Sequence, residues 1–356
     1  RARAEGIGIS CKVGLMQRPE RVVVTALGAI ITGLTNSPWP LAVAMAIIAL
    51  LANITAFWRV WHCYRTLTTP DHRSSSEVHP TSIAISMISL YLIIIFILLW
   101  RWSKTRSLAY HFLPWLIFAV VYDSMRFYPN YLVNAIDTGH LYNLEKQFFG
   151  ISAADRGELF AAATACHGSA EAIWQSATLI PSEWFAIHHA PWADLLAGCL
   201  YLCWIPVPLG FACYLYLSGQ RQWMQRFSWA FLTVNLLGFI GYYIHPASPP
   251  WYIMEYGFTA ITGIPGHVAG LGHFDNLTGL PIFHAIYAKN ANVFAAMPSL
   301  HAAYMLVTTA YAVASKCKRY VSLTFGIICV GIWWTAVYSG HHYILDVLFG
   351  IATALI

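Results

Sequence analysis

Long apolar runs separated by short polar or basic breaks dominate the chain. A helix crossing a roughly 30 Å hydrocarbon core needs about 20 apolar residues. By that measure spans are predicted near 21–34, 38–58, 83–100, 108–125, 192–217, 227–245, 299–315, 320–338 and 342–356, about nine in all. The polar, basic opening shows nothing like a cleaved signal peptide. A start at Arg1 and a stop at Ile356 inside an apolar run lead us to expect a fragment of a longer protein. Between the second and third spans, Thr69 to Pro80 is a polar run rich in Pro and Ser, which predicts a linker over 61–82 and a domain boundary there. Two long stretches, 126–191 and 246–298, fall outside the spans, and structureless loops of that length are uncommon unless functional. The first has helix-compatible patches, Leu159–Ala165 and Ala170–Leu179, expected to lie along the membrane surface.

Composition narrows the class. The chain is 58% hydrophobic and 10% charged, with a mean hydropathy of +0.57, whereas soluble domains are nearer half apolar and a quarter charged. Disordered, collagen-like and nucleic-acid-binding classes are excluded with the soluble ones, because the net charge of +5 is spread over loops. The 15 Trp and 20 Tyr suit aromatic belts at two membrane surfaces. The expected fold class is therefore all-α, a polytopic integral membrane helical bundle. The eight cysteines form no CxxC pair and read as small core residues. His188, His189, His245, His267, His273 and His284 show no HExxH or comparable ligand spacing, so no metal site is expected.

Charge asymmetry speaks to orientation. The connections Arg101–Arg106, Arg221–Arg226 and Lys316–Arg319 are basic and share one face by span count. The positive-inside rule then puts 126–191, 246–298 and 339–342 on the non-cytoplasmic side. The basic stretch Arg59–Arg73 breaks the pattern, and the parity of the spans stays open.

Two strings on that outer face carry chemistry: Met297-Pro-Ser-Leu-His301 and Ser339-Gly-His-His-Tyr-Ile-Leu-Asp346. His342 and Asp346 are four apart at the mouth of an apolar helix, a spacing that stacks side chains on one face. A carboxylate on one imidazole nitrogen fixes the tautomer and frees the other as a nucleophile. Taken alone, such a pair could equally snorkel or cap. His301 follows Pro298-Ser299, a predicted helix start with Ser299 as N-cap, and a lone His there is commonly structural. Both strings at one surface change the balance, since two histidines and one Asp can divide an in-line displacement at phosphorus. Ionisable groups at membrane depth are functional by default.

Together with Tyr242-Tyr-Ile-His-Pro-Ala-Ser-Pro-Pro-Trp251, these strings resemble the type-2 phosphatidic acid phosphatase superfamily, and within it the inositol phosphorylceramide synthase branch, over residues 83–356. The resemblance implies a six-helix core. It also implies His342 as the nucleophile forming a phosphohistidine, Asp346 as its orienting group, and His301 as general acid and then base. Phosphatase members hold the phosphate with Lys and Arg, yet Tyr243–Trp251 and Trp334–Ser339 contain neither. The synthase branch lacks them too. Phosphate neutralisation then falls to Arg126 in Tyr122-Asp123-Ser-Met-Arg126, similar to a string in bacterial members of the branch, to backbone N–H groups at the Ser299 helix start, or more weakly to Lys289. His341, Pro249, Pro250 and Trp251 are further substrate-contact candidates, the last three alternatively an interfacial turn with an aromatic anchor.

Residues 1–60, with Arg1-Ala-Arg-Ala-Glu-Gly-Ile-Gly, Gly14-Leu-Met-Gln-Arg-Pro-Glu-Arg-Val22 and two spans, resemble the C-terminal part of CDP-alcohol phosphatidyltransferases. Those enzymes act through an Asp-rich motif that holds a divalent cation, Mg or Mn. No such motif occurs in this chain, so this two-helix remnant is expected to be non-catalytic by itself. Arg1, Arg3, Arg18 and Arg21 are candidate phosphate contacts or ordinary juxtamembrane charges.

The leading expectation is a cofactor-independent lipid phosphotransferase. It would move a phospho-headgroup, inositol phosphate first among candidates, from a phospholipid such as phosphatidylinositol to a ceramide-like lipid hydroxyl. The site would sit on the non-cytoplasmic face of a bacterial-type inner membrane. The rival activity is hydrolysis of a phosphatidyl-alcohol phosphate. A non-catalytic lipid-binding or transport bundle would place charges at mid-span, whereas the ionisable residues here gather at one surface.

Overall fold

The computed structural model describes residues 18–35, 41–45, 48–49, 87–288 and 292–356. The expected linker over 61–82, Arg1, Arg3 and Lys289 lie outside them. The chain divides into two compact units, Arg1–Tyr110 and His111–Ile356. In the first lie α1 (Arg18–Thr35) and α2 (Met87–Arg101), and α3 spans Arg106–Ser124. The second continues with α4 (His140–Phe149), α5 (Arg156–Ala165), α6 (Ala170–Ser176), α7 (Pro181–Ile187), α8 (Pro191–Tyr201), α9 (Pro206–Leu217) and α10 (Arg221–Ile244). After these come α11 (Pro250–Tyr256), α12 (Gly272–Thr278), α13 (Ile282–Tyr287), α14 (Leu300–Ala314), α15 (Arg319–Tyr338) and α16 (Ile344–Leu355). The all-α membrane bundle expected from the sequence is what the chain forms.

Three described helical segments, Arg106–Phe127, α10 and α15, are long and apolar enough to cross a membrane by length and composition, and α2, α14 and α16 are shorter apolar helices. The single span expected over 192–217 is instead the pair α8 and α9, bent by 41°. Pro206 opens α9 at its first position, where its missing N–H breaks the ladder of a continuous helix. A hydropathy window does not see that break.

The stretch 126–191 folds into a cap. Asp155 caps α5 by accepting the Glu158 N–H. The expected helical patch Ala170–Leu179 stops at Ser176, because Thr178 and Leu179 pair antiparallel with Ser152 and Ile151 as β2 and β1. Beneath the cap, Glu183 accepts from Tyr142 Oη (2.9 Å), Ser169 Oγ and the Ile180 N–H (2.9 Å), so this fully buried carboxylate is well provided with donors.

The spanning core centres on α14, which packs against α10, α15 and α16. Phe227, Phe231, Trp115 and Tyr304 fill the space toward α3 and α10, with Trp115 stacked on Phe231 at 4.5 Å. Polar groups in this layer are paired, Trp115 Nε1 donating to Ser228 Oγ (3.0 Å) and Tyr304 Oη to Asn235 Oδ1. Two glycines set how closely the site-bearing helices approach. A Cβ on Gly238 of α10 would meet the Leu300 side chain at 2.5 Å, and one on Gly350 of α16 would collide with the Ser299 carbonyl.

Candidate active site

The site forms where α15 ends and α16 begins. Ser339 and Gly340 close α15 in a Schellman turn: Gly340 has φ of 73°, its N–H donates to the Val337 carbonyl, and the His341 N–H reaches back to Ala336 (3.1 Å). The His342 N–H also donates to Ala336 (2.9 Å). His342 therefore sits in the turn before α16 rather than inside a helix mouth beginning at 342. The four-residue spacing still brings Asp346 Oδ2 to 3.5 Å from His342 Nδ1. Asp346 is fully buried, and its Oδ2 accepts the Tyr343 N–H at 2.9 Å, which fixes the carboxylate at the start of α16.

The imidazole has a second anchor. His342 Nδ1 lies 3.0 Å from the Ala296 carbonyl, an acceptor that requires Nδ1 to carry the proton. Nε2 is then the lone-pair nitrogen, and it faces His301 Nδ1 at 3.1 Å. His301 occupies the first turn of α14, after Ser299, whose Oγ accepts the Ala302 N–H as the predicted N-cap. The Ser299 N–H donates to the Asp346 carbonyl at 2.9 Å, so the two sequence strings are joined by backbone as well as by the imidazoles. That bond also occupies one of the N–H groups expected to face a phosphate.

Aromatic rings wall the pair. His301 lies between Tyr201, stacked at 4.8 Å, and Trp204 at 4.7 Å. His341 has its Nδ1 3.0 Å from Ser339 Oγ and its ring 4.5 Å from Tyr287. Burial, and then the neighbouring His342, push His341 down to about 3, so it is a neutral ring at physiological pH. Pro249 and Pro250 begin α11, and the Trp251 N–H donates to the Gly340 carbonyl at 2.9 Å. The Pro-Pro-Trp string is thus docked on the turn that carries the histidines.

Arg126 folds onto its own turn. Its Nη2 pairs with Asp123 Oδ1 at 2.5 Å and its Nε donates to the Asp123 carbonyl at 3.1 Å. Tyr122, on the last turn of α3, packs its ring 6.1 Å from Phe118 and 6.2 Å from Phe239. Among the described residues, no hydrogen bond or ion pair joins Arg126 to the histidines.

Elsewhere, His189, Asp194 and His273 bring one donor atom each within 4.8 Å of one another, beside a cavity of about 220 Å³ that Trp251, Ser339 and Gly340 also line. The rings of His189 and His273 stack at 4.2 Å and 19°. His189 Nδ1 already lies 3.1 Å from Asp194 Oδ2, so the carboxylate engages this ring.

Sequence reasoning missed the Ala296 carbonyl, the Tyr201–Trp204 wall and Glu145. The first adjoins Met297 and could be suspected from position, and the wall has helical i, i+3 spacing. Glu145 lies in the cap and is buried to 1%, with its carboxylate on the N–H groups of Ile344 and Leu345.

The PAP2 superfamily profile matches residues 174–356. The chain is 51% identical over 270 residues to the phosphoinositol dihydroceramide synthase of Bacteroides thetaiotaomicron, covering 76% of this chain and 80% of that protein. It is 28% identical over 174 residues to the inositol phosphorylceramide synthase of Candida albicans, covering 46% of this chain and 36% of the fungal protein. A stretch of 66 residues is 39% identical to the phosphatidylinositol phosphate synthase of Mycobacteroides abscessus, 18% of this chain and 30% of that enzyme. No solved structure matches. The histidine pair and its Asp lie inside the matched region, and the chain belongs to the PAP2 superfamily, as a membrane-embedded homologue of the inositol phosphorylceramide synthases.

Proposed function

We propose that this protein transfers a phosphoinositol headgroup from phosphatidylinositol to the hydroxyl of a ceramide or dihydroceramide. The observation that carries the reading is the pair His301–His342, 3.1 Å apart, with the far nitrogen of His342 held by Ala296 and Asp346. In the first half-reaction the donor phosphate enters between the rings and His342 Nε2 attacks phosphorus. The bond from phosphorus to the diacylglycerol oxygen breaks, and His301 gives that oxygen its proton. Asp346 offsets the positive charge of the phosphorylated imidazole. In the second half-reaction His301 takes the proton of the acceptor hydroxyl, the new oxygen bonds to phosphorus, and the bond to Nε2 breaks. The aromatic wall keeps water scarce, which favours a lipid alcohol as acceptor.

Topology supports a non-cytoplasmic site. Arg221 and Arg319 open α10 and α15 at the ends opposite the histidine turn, and Lys316 and Lys318 follow the far end of α14. By the positive-inside rule those basic ends face the cytoplasm. Residues 1–60 fit the C-terminal part of a CDP-alcohol phosphatidyltransferase, a reading supported by the short likeness to a phosphatidylinositol phosphate synthase. Glu5 and Glu20 are the acidic residues of that segment. They do not make the Asp-rich cluster a divalent cation needs, and we assign the segment no chemistry.

The test supplies liposome-reconstituted protein with headgroup-labelled phosphatidylinositol, with and without dihydroceramide. The expected result is a labelled sphingolipid and free diacylglycerol that depend on the acceptor. Water-soluble inositol phosphate formed regardless of acceptor would establish hydrolysis instead.

A further inference from the structure

The first turn of a helix exposes N–H groups with no partner inside the helix. At α16 the Tyr343 N–H is taken by Asp346 itself. The next two are taken from outside: Glu145 Oε1 accepts the Ile344 N–H at 2.8 Å and Oε2 accepts the Leu345 N–H at 3.1 Å, across 199 and 200 residues of chain. Both bonds fall between His342 and Asp346. A carboxylate at this end of a helix is also favoured by the helix dipole. We infer that Glu145 is a positioning residue of the transfer reaction: from the cap it holds the first turn of α16 in register, so that Asp346 stays on His342 and His342 stays on His301. This rests on the transfer reading above.

The ionised form does this holding, since both oxygens accept. A protonated carboxyl presents a donor to one of the two N–H groups and loses that bond. Burial raises Glu145 to about 7, opposed by its two backbone donors and reinforced by Asp346. The groups facing it are Tyr343, the N-cap of α16, and Asp346 in its first turn, with His342 and His245 beyond Asp346. From α7 comes Glu183, close to Tyr142 on α4. Lys146, next in sequence, directs its ammonium to Tyr142 Oη (3.2 Å) and the Ala172 carbonyl (3.0 Å). The sign follows: the turn is fully held above about 7 and loosens as pH falls through that value, so kcat should carry an acidic limb there.

The experiment compares wild type and Glu145→Gln in liposomes from pH 5.5 to 8.5, with phosphatidylinositol and dihydroceramide. Glutamine offers one acceptor and mimics the protonated state. We expect kcat at pH 8 to fall about tenfold with KM within twofold, the curves to converge near pH 6, and the limb near 7 to vanish. Wild-type kcat with an unmoved limb would overturn the assignment. A merely structural cap would lower kcat equally at every pH. If Glu145→Gln does not fold, Glu145→Asp takes its place, keeping the charge on a shorter arm: reduced kcat with the limb retained supports the inference, and wild-type kcat sinks it. Absence of any transfer product from the wild type would instead refute the transfer reading, so the two failures are distinct.

Discussion

Replacing Asp346 with Asn tests what the carboxylate contributes to the chemistry. Its Oδ2 is 3.5 Å from His342 Nδ1 and also accepts the Tyr343 N–H. Two unit charges at that separation interact by about 5 kcal/mol at an effective dielectric of about 20. An amide keeps the bond to Tyr343 and part of the dipole toward the ring, which leaves a loss of about 3–4 kcal/mol in the step that forms the phosphorylated imidazole. At about 1.4 kcal/mol per tenfold in rate, kcat should fall by about 10²–10³. The serine-protease Asp→Asn change costs about 10⁴, mainly through the wrong tautomer. Here the Ala296 carbonyl fixes the tautomer independently, so the smaller figure is expected. Headgroup-transfer kinetics in liposomes, with the variant's elution profile and thermal midpoint as fold controls, supply the measurement. A folded Asp346→Asn enzyme within tenfold of wild type would refute the charge role, and a loss beyond 10⁴ would refute Ala296 as an independent anchor.

His342→Ala should abolish turnover and the acid-labile phosphoryl-enzyme while leaving the bundle folded; activity near the parent level would remove it as nucleophile. If the guanidinium leaves Asp123 to hold the donor phosphate, Arg126→Ala should raise KM several-fold with kcat little changed; unchanged kinetics would return Arg126 to an interfacial anchor. Gly350→Ala directs a methyl at the Ser299 carbonyl and should cost about 1–3 kcal/mol, the usual price of overpacking. A thermal midpoint equal to wild type would contradict that contact.

The bundle was legible because burial in lipid leaves one signal, apolar runs, which the sequence carries openly. The candidate strings were legible because polar groups at the ends of such runs are few, and the structure brings His301, His342 and Asp346 together. What stayed hidden depends on distant chain or on backbone. The Ala296 carbonyl has no side-chain signature, and Glu145 reaches the site across 199 residues. Hydropathy joined 192–217 although Pro206 interrupts it, because a window averages polarity and ignores a lost N–H. It likewise carried the helical patch past Ser176, where Ala177 turns left-handed at φ of 50° to start β2.

The hydrogen bond between His301 and His342 has a thermodynamic corollary. On the transfer reading proposed above, one proton serves the pair, leaving with the first alcohol and recovered from the second. A phosphodiester enters and a phosphodiester departs, so a full cycle exchanges no proton with solvent and moves no net charge across the bilayer. Such an exchange is close to isoergic and runs in either direction. On that reading the membrane potential cannot drive it, and the ratio of donor to acceptor lipids around the protein, with the rate at which the released alcohol is removed, sets how far it runs.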